Sequence, residues 1–221
     1  MSVKSSVFRP VKQADQVDYP QLERTIQQWW DENGVRQAYL QRNAQSKKRY
    51  SFLDGPMTAN NPMGVHHAWG RTYKDLYQRF KTMQGYQQRY QNGFDCQGLW
   101  VEVEVEKQLG LKNKQEIETF GIAQFVNLCK ERVRKFAQRI TTQSIRLGQW
   151  ADWGNDYYTF SDENNYTIWS FLKKCQEKGL LYKGHDVMTW CPRCATGIST
   201  METLSEDYQE TSHLTTVALV T

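Results

Sequence analysis

Residues 50–83 set the tightest limit on what this chain can fold into. Tyr50-Ser51-Phe52-Leu53 is a short apolar and aromatic run that stops at Asp54-Gly55-Pro56, the pattern of a strand closed by a turn. Asn60, Asn61, Pro62 and Gly64 mark residues 57–65 as loop. From His67 the period changes. Trp69, Tyr73, Leu76, Phe80 and Met83 recur at steps of four and three, which predicts a helix with that stripe buried and a stop at Gly85. A second strand is expected over 86–90, then a turn at Asn92-Gly93-Phe94-Asp95. Strand, loop, helix and strand in this order form half of a nucleotide-binding α/β unit.

The loop between the first strand and the helix lies at the carboxyl edge of the sheet. The helix start there offers free N–H groups and the positive end of a dipole, a ready place for phosphate. Gly64 lets a base or ribose approach the backbone, and His66 and His67 add donors. Their task would be electrostatic, stabilising charge on a phosphoryl group. The glycines and lysine of a Walker loop or a G-x-G-x-x-G fingerprint are absent. Two adjacent histidines alone are more often half-exposed helix-start residues. The flanking turn, the glycine and the second turn at 93–95 favour the site.

Around this unit the chain reads as mostly helical. Leu22, Ile26, Trp29 and Trp30 place a helix over 19–32, ended by Gly34, with a shorter helix over 36–41 and a polar connector over 42–48. Residues 99–109 alternate valine and glutamate at 101–106 as a strand would, but end in Lys107-Gln108-Leu109-Gly110 as a helix does, and we read them as helix. A long helical region over 117–147 has Phe125, Cys129, Val133, Phe136 and Ile140 as its seam. Its basic run, Lys130, Arg132, Arg134, Lys135 and Arg139, reads as a solvated face, with contact to nucleic-acid phosphate as the alternative. Trp150 and Trp153 are expected in the core rather than as a stacking platform. Ser161 caps a helix that carries Asp162 and Glu163 in its first turn and ends at Gly179. Strands are expected over 186–190 and 213–221. Because the chain stops inside the second of these, it reads as a piece of something longer.

Bulk properties exclude several classes. Among 221 residues, 39% are hydrophobic and 24% charged, a globular balance, and the net charge of +4 does not argue for a polyanionic partner. Five cysteines, scattered except for Cys191 and Cys194, are not a secreted disulfide framework. No apolar run approaches the roughly 18 residues of a membrane span, and a reducing cytoplasm is the expected location.

Several stretches resemble one family. YSFLDGPMTANNPMGVHH is similar to the first signature region of class I aminoacyl-tRNA synthetases, in the isoleucyl form D-G-P-P-x-A-x-G-x-x-H-x-G-H, and Lys74-Asp75 follows at the family's distance. Phe94 to Glu102 resembles W-D-C-H-G-L-P-V-E; residues 146–184 resemble the next block, and WCPRCATGIS the entry to a zinc knuckle. The resemblance runs from about residue 18 to the end. The turns favour isoleucyl over valyl or leucyl enzymes. The signature departs in one respect: Gly64-Val65-His66-His67 swaps the usual first histidine and the glycine, a form that some bacterial isoleucyl enzymes resemble.

The resemblance implies an α/β fold, the first half of a Rossmann-like catalytic domain over 49–184, with a helical leader over 1–48 and the start of an editing insertion over 185–221. It implies that Gly64, His66, His67 and Asn61 meet ATP with Mg2+, with His67 and His66 as the catalytic pair. Gly55, Pro56, Asp95 and Gln97 would line the amino-acid pocket, Asp95 holding the substrate ammonium, although Gln97 stands where the family commonly has histidine. The intact parent would be a monomer that forms isoleucyl-adenylate and transfers isoleucine to tRNA(Ile). By the resemblance, Cys191 and Cys194 are half of a four-ligand zinc site that the intact parent would complete; His185 or His213 could substitute, though neither has convincing spacing. K-M-S-K-S, the second family signature, does not occur in the chain, so these residues alone are not expected to charge tRNA. A valyl or leucyl enzyme, or a non-catalytic nucleotide- or RNA-binding relic, are the other readings.

Overall fold

A computed structural model describes residues 17–50 and 52–199. Helices dominate: α1 Tyr19–Glu32, α2 Val35–Gln41, α3 Val65–Met83, α4 Leu99–Leu109, α5 Lys114–Phe120, α6 Ile122–Arg146 and α7 Asp162–Glu177. Between them lie the short strands β1 Gly93–Phe94 and β2 Tyr157–Tyr158, which are parallel, and the hairpin strands β3 Trp190–Cys191 and β4 Thr196–Gly197. The expected strand over 213–221, with His213, lies outside the described residues.

The α/β class is present in a reduced form. Three stretches of backbone run parallel. Residues 48–50 bond to Gln87 (Gln87 N to Lys48 O, 2.8 Å; Tyr50 N to Gln87 O, 3.0 Å), and residues 57–59 bond to Asp95 (Ala59 N to Asp95 O, 2.9 Å). β1 in turn pairs with β2. The crossovers are α3 for the first step and α4 to α6 for the second, as parallel pairing requires. The strands expected over 50–53 and 86–90 therefore survive as single bridges at Arg49–Gln87 rather than ladders. The cause is local. Lys74 Nζ donates to Gly55 O at 2.9 Å and the Tyr157 hydroxyl donates to Asp54 O, so side chains satisfy carbonyls that a neighbouring strand would otherwise take.

The core lies where α4 and α6 cross beneath the loop and β1. Ala59, Phe94, Val101, Val133, Ala137 and Ile140 are buried together, and Val105, Ile117 and Phe125 form a second cluster beside them. Residues 99–109 are helix, so the burial of Val101 and Val105, four apart, outweighs the valine–glutamate alternation. The seam of α6 is buried at Phe125, Val133 and Ile140, but the helical region breaks at Gly121 (φ +111°), a backbone angle that separates α5 from α6. Trp150 is in the core as expected. It lies in a loop, edge-on to Trp30 at 5.0 Å and to Tyr39 at 4.7 Å, with the Arg79 guanidinium 4.2 Å over it.

The stripe on α3 is not buried. Trp69, Tyr73, Leu76, Phe80 and Met83 are all at least half exposed, and the buried residues are Arg71, Gln78 and Thr82. Both sets keep helical spacing on opposite faces. The inward face is fixed by polar partners: Arg71 with Asn92 and Gln149, Thr82 with Tyr90 and Gln88, and Arg79 with Gly148 O at 2.7 Å. The strand expected over 186–190 is also corrected. Only Trp190 and Cys191 pair, antiparallel, with Gly197 and Thr196.

Candidate active site

The helix at the junction starts at Val65, two residues earlier than its periodicity predicts, with Gly64 as N-cap. A glycine has no side chain to cap with, so the helix caps itself from within: Gly64 N donates to His67 Nδ1 at 3.2 Å. Because Nδ1 accepts, the His67 proton sits on Nε2, and the ring is a neutral donor. Burial, helped by His66 and the Arg71 guanidinium, lowers the His67 pKa and keeps it neutral. His66 is exposed and lies 3.8 Å from His67, centroid to centroid. A Cβ at Gly64 would come within 3.0 Å of the His66 ring, so glycine at this place leaves room for the two imidazoles.

The loop before the helix is fastened at several points. The Thr58 hydroxyl donates to Asp95 Oδ2 at 2.9 Å, and Asp95 N donates to Met57 O at 3.2 Å. One oxygen of the half-buried Asp95 is thus occupied, and the other carries no hydrogen bond among the described residues. Gln143 of α6 accepts from Met63 N at 2.8 Å. Gly55 is exposed and Pro56 half-buried beside the buried Asp54, which pairs with Lys74 of α3. Gln97 is tied to Thr159 at both ends of its amide, by Nε2 to Thr159 O at 2.8 Å and by the Thr159 hydroxyl. It braces the end of β1 against β2, and its exposed amide keeps a second N–H and a second lone pair.

Three organising residues escaped the sequence reading. Arg71, 1% exposed, donates to Asn92 at 2.9 Å and Gln149 at 3.1 Å behind the helix start. Lys74 clamps the Asp54–Gly55 turn. Arg132, expected on a solvated face, turns inward and donates to Asn60 Oδ1 at 2.6 Å and Asn61 Oδ1 at 3.2 Å. The signal for Lys74 was in plain view, about two and a half turns of helix being enough to bring its ammonium over the turn before it. For Arg71 and Arg132 no local signal exists.

Cys191 and Cys194 sit in the β3–β4 hairpin, where Cys194 N donates to Cys191 Sγ at 3.4 Å and lowers the Cys191 pKa. Arg193 between them reaches Glu106, fully buried on α4, at 3.0 Å, and Lys114 reaches the same carboxylate at 2.9 Å, so the hairpin is anchored to the core. Among the described residues no three His, Cys, Asp or Glu are arranged to hold a metal ion. Two cysteines do not fill a structural zinc site. Two cavities flank the junction without enclosing the histidines. One of about 610 Å³ runs between α1, Met63–Val65 and the end of α6. The other, about 480 Å³, lies between residues 96–98, α4, α5 and α6.

Comparisons with known proteins give the family of the chain. Residues 25–217 match the model for tRNA synthetases class I (I, L, M and V). An isoleucine–tRNA ligase of Streptomyces coelicolor is 40% identical over 194 residues, 88% of this chain and 18% of that protein. Those of Methanocaldococcus jannaschii and Thermus thermophilus are each 39% identical, over 90% and 86% of this chain. The chain thus spans under a fifth of the length of the curated relatives it matches. The ternary complex of the Agrobacterium radiobacter K84 agnB2 LeuRS with tRNA and LeuAMS matches with a TM-score of 0.58, over 80% of this chain and 20% of that one; at 18% identity this speaks for the fold. With matching motifs, a parallel α/β core and a family model that covers most of its length, the chain belongs to the class I tRNA synthetases of the isoleucyl, leucyl, methionyl and valyl group.

Proposed function

We propose that the intact parent of this chain is an isoleucine–tRNA ligase, and that the 54–67 segment is its ATP and amino-acid site. The observation that carries the reading is the start of α3. A neutral His67 presents Nε2–H beside the free N–H groups of the first turn, and His66 stands next to it. This group of donors suits an anionic phosphate without any proton transfer. Isoleucine would be held through its ammonium at the open oxygen of Asp95, near the Gly55–Pro56 turn. Its carboxylate then attacks the α-phosphate of Mg2+-ATP, and pyrophosphate leaves. Holding the two reactants in line does most of the work. Asn61, Gly64 and His66 complete the nucleotide side.

Transfer to tRNA(Ile), a monomeric parent and a cytoplasmic location belong to the same proposal and rest on the family resemblance. No helix among the described residues is long and apolar enough to cross a membrane. The test is isoleucine-dependent exchange of pyrophosphate into ATP, measured on the full-length parent with isoleucine, valine, leucine and methionine in parallel. Isoleucine should give the highest kcat/KM, and His67→Ala should lower it with both substrates. Faster exchange with another amino acid overturns the specificity, and no exchange with any of them overturns the function.

A further inference from the structure

We propose that Arg132 is a positioning residue for the nucleotide. It would act through Asn61, whose amide it holds with both N–H donors turned toward an anionic oxygen. The inference deepens the reading that ATP binds at this junction and rests on it. A guanidinium only donates, so any amide that meets it must offer its oxygen. Arg132 lies across α6 with Nε on Asn60 Oδ1 at 2.6 Å and Nη2 on Asn61 Oδ1 at 3.2 Å. Glu104 of α4, 3.5 Å from the same Nη2, and the ring of Phe136, 4.7 Å away, hold the guanidinium from the other side. Its side chain is only 15% exposed.

The two asparagines then differ. The NH2 of buried Asn60 is used up on Trp100 O at 2.6 Å. Asn61 is exposed, and its NH2 carries no hydrogen bond among the described residues. With Arg132 on its oxygen, the unused group of Asn61 is its NH2, on the loop three residues before Gly64. An acceptor with negative charge suits it best, and the phosphate groups of ATP are that acceptor at this junction. The Arg132 charge itself is largely met by Glu104, so Arg132 organises the contact and does not make it.

The experiment measures equilibrium binding of Mg2+-ATP to the full-length parent, together with KM for isoleucine in pyrophosphate exchange. Asn61→Ala and Arg132→Ala should each weaken ATP binding about tenfold, the worth of one hydrogen bond to a charged partner. The double variant should lose no more than the weaker single, because Arg132 acts through Asn61. Arg132→Lys keeps the charge without the fork and should fall between parent and Arg132→Ala. KM for isoleucine should stay within a factor of two in Asn61→Ala, whose exposed side chain leaves the thermal midpoint unchanged. ATP affinity that survives Asn61→Ala, losses that multiply in the double variant, or equal losses for both substrates overturn the inference. A parent that binds ATP but exchanges with no amino acid refutes the proposed ligase activity while these affinity ratios still decide the role of Arg132. A parent that does not bind ATP refutes both.

Discussion

Replacing Arg71 tests whether α3 is held by its polar face. Arg71 Nη1 supplies Asn92 Oδ1 at 2.9 Å and Gln149 Oε1 at 3.1 Å, and these acceptors are only 2% and 7% exposed. Asn92 cannot turn its amide to escape, because its Nδ2 is already donating to Asp156 at 2.9 Å. Arg71→Met leaves two buried acceptors without a donor, at about 1–3 kcal/mol each. It also removes the positive charge facing Asp54, which is 4% exposed. Relief from burying a guanidinium offsets part of this. Removing one partner of a buried charged network typically costs about 3–5 kcal/mol, and we expect that range. Arg71→Lys keeps the charge but serves one acceptor instead of two, for about 1–3 kcal/mol. With a slope near 2 kcal/mol per molar urea, the methionine variant should unfold about 1.5–2.5 M earlier. Urea titration of the 221-residue chain, followed by far-UV circular dichroism of its helices, reads this directly. A methionine variant within about 0.5 M of the parent, or more stable than the lysine variant, would refute the claim that polar partners hold this helix.

Three further outcomes follow from the same packing. Ile140→Ala, at a site with no exposure between α4 and α6, should cost about 2–5 kcal/mol in urea unfolding. A loss under about 1 kcal/mol would mean that the core there collapses freely. Gly93→Ala would put a Cβ 2.2 Å from the Tyr157 ring and break the β1–β2 pair; Tyr157→Ala should restore part of the lost thermal midpoint, and Tyr157→Phe should not. For His67, imidazole NMR should show the proton on Nε2 and a titration midpoint below 6.5, from burial first and then from His66 and Arg71. Since the folded pKa lies below the unfolded one, its contribution to stability is complete above about 6.5 and is lost as pH falls through the folded midpoint. A proton on Nδ1, or a midpoint above 6.5, contradicts the capping geometry.

Much of the fold was readable because it is written in local periods and caps. Ser161 and the glycines at 34, 85 and 179 mark helix ends where the structure has them. The failures have one physical source. Periodicity on α3 shows that the helix has two faces, and it does not say which one this stretch of chain covers. Residues 71, 75, 78 and 82 repeat at the same steps as 69, 73, 76 and 80, so hydrophobicity alone selects the wrong face. The deciding contacts are long-range and polar: Arg71 to Gln149 and Arg79 to Gly148, which no window on the sequence can see. The missing ladder at 52–56 is in part a case of the same kind, since the Asp54 carbonyl is claimed by Tyr157, 103 residues away.

The candidate site divides along the same line. Gly64, His66 and His67 lie within one turn of helix, so their spacing already contains their geometry, and the swapped order is itself explained by the room that glycine leaves for the His66 ring. Gln97 and Arg132 depend on partners 62 and 72 residues away. In a run of five cations each side chain looks alike in composition, yet they differ in angle around α6. Arg132 stands next to buried Val133, at the edge of the seam, where a long side chain can reach over the helix shoulder to the loop. Arg134, on the other side of Val133, instead lies over Phe160 at 5.8 Å. A cation that flanks a buried seam is therefore a different object from one opposite it. Helical angle does not draw that distinction, since Lys130 lies about 60° from Val133 around α6 and Arg132 and Arg134 about 100°, so it is the asparagine oxygens of the loop that single out Arg132.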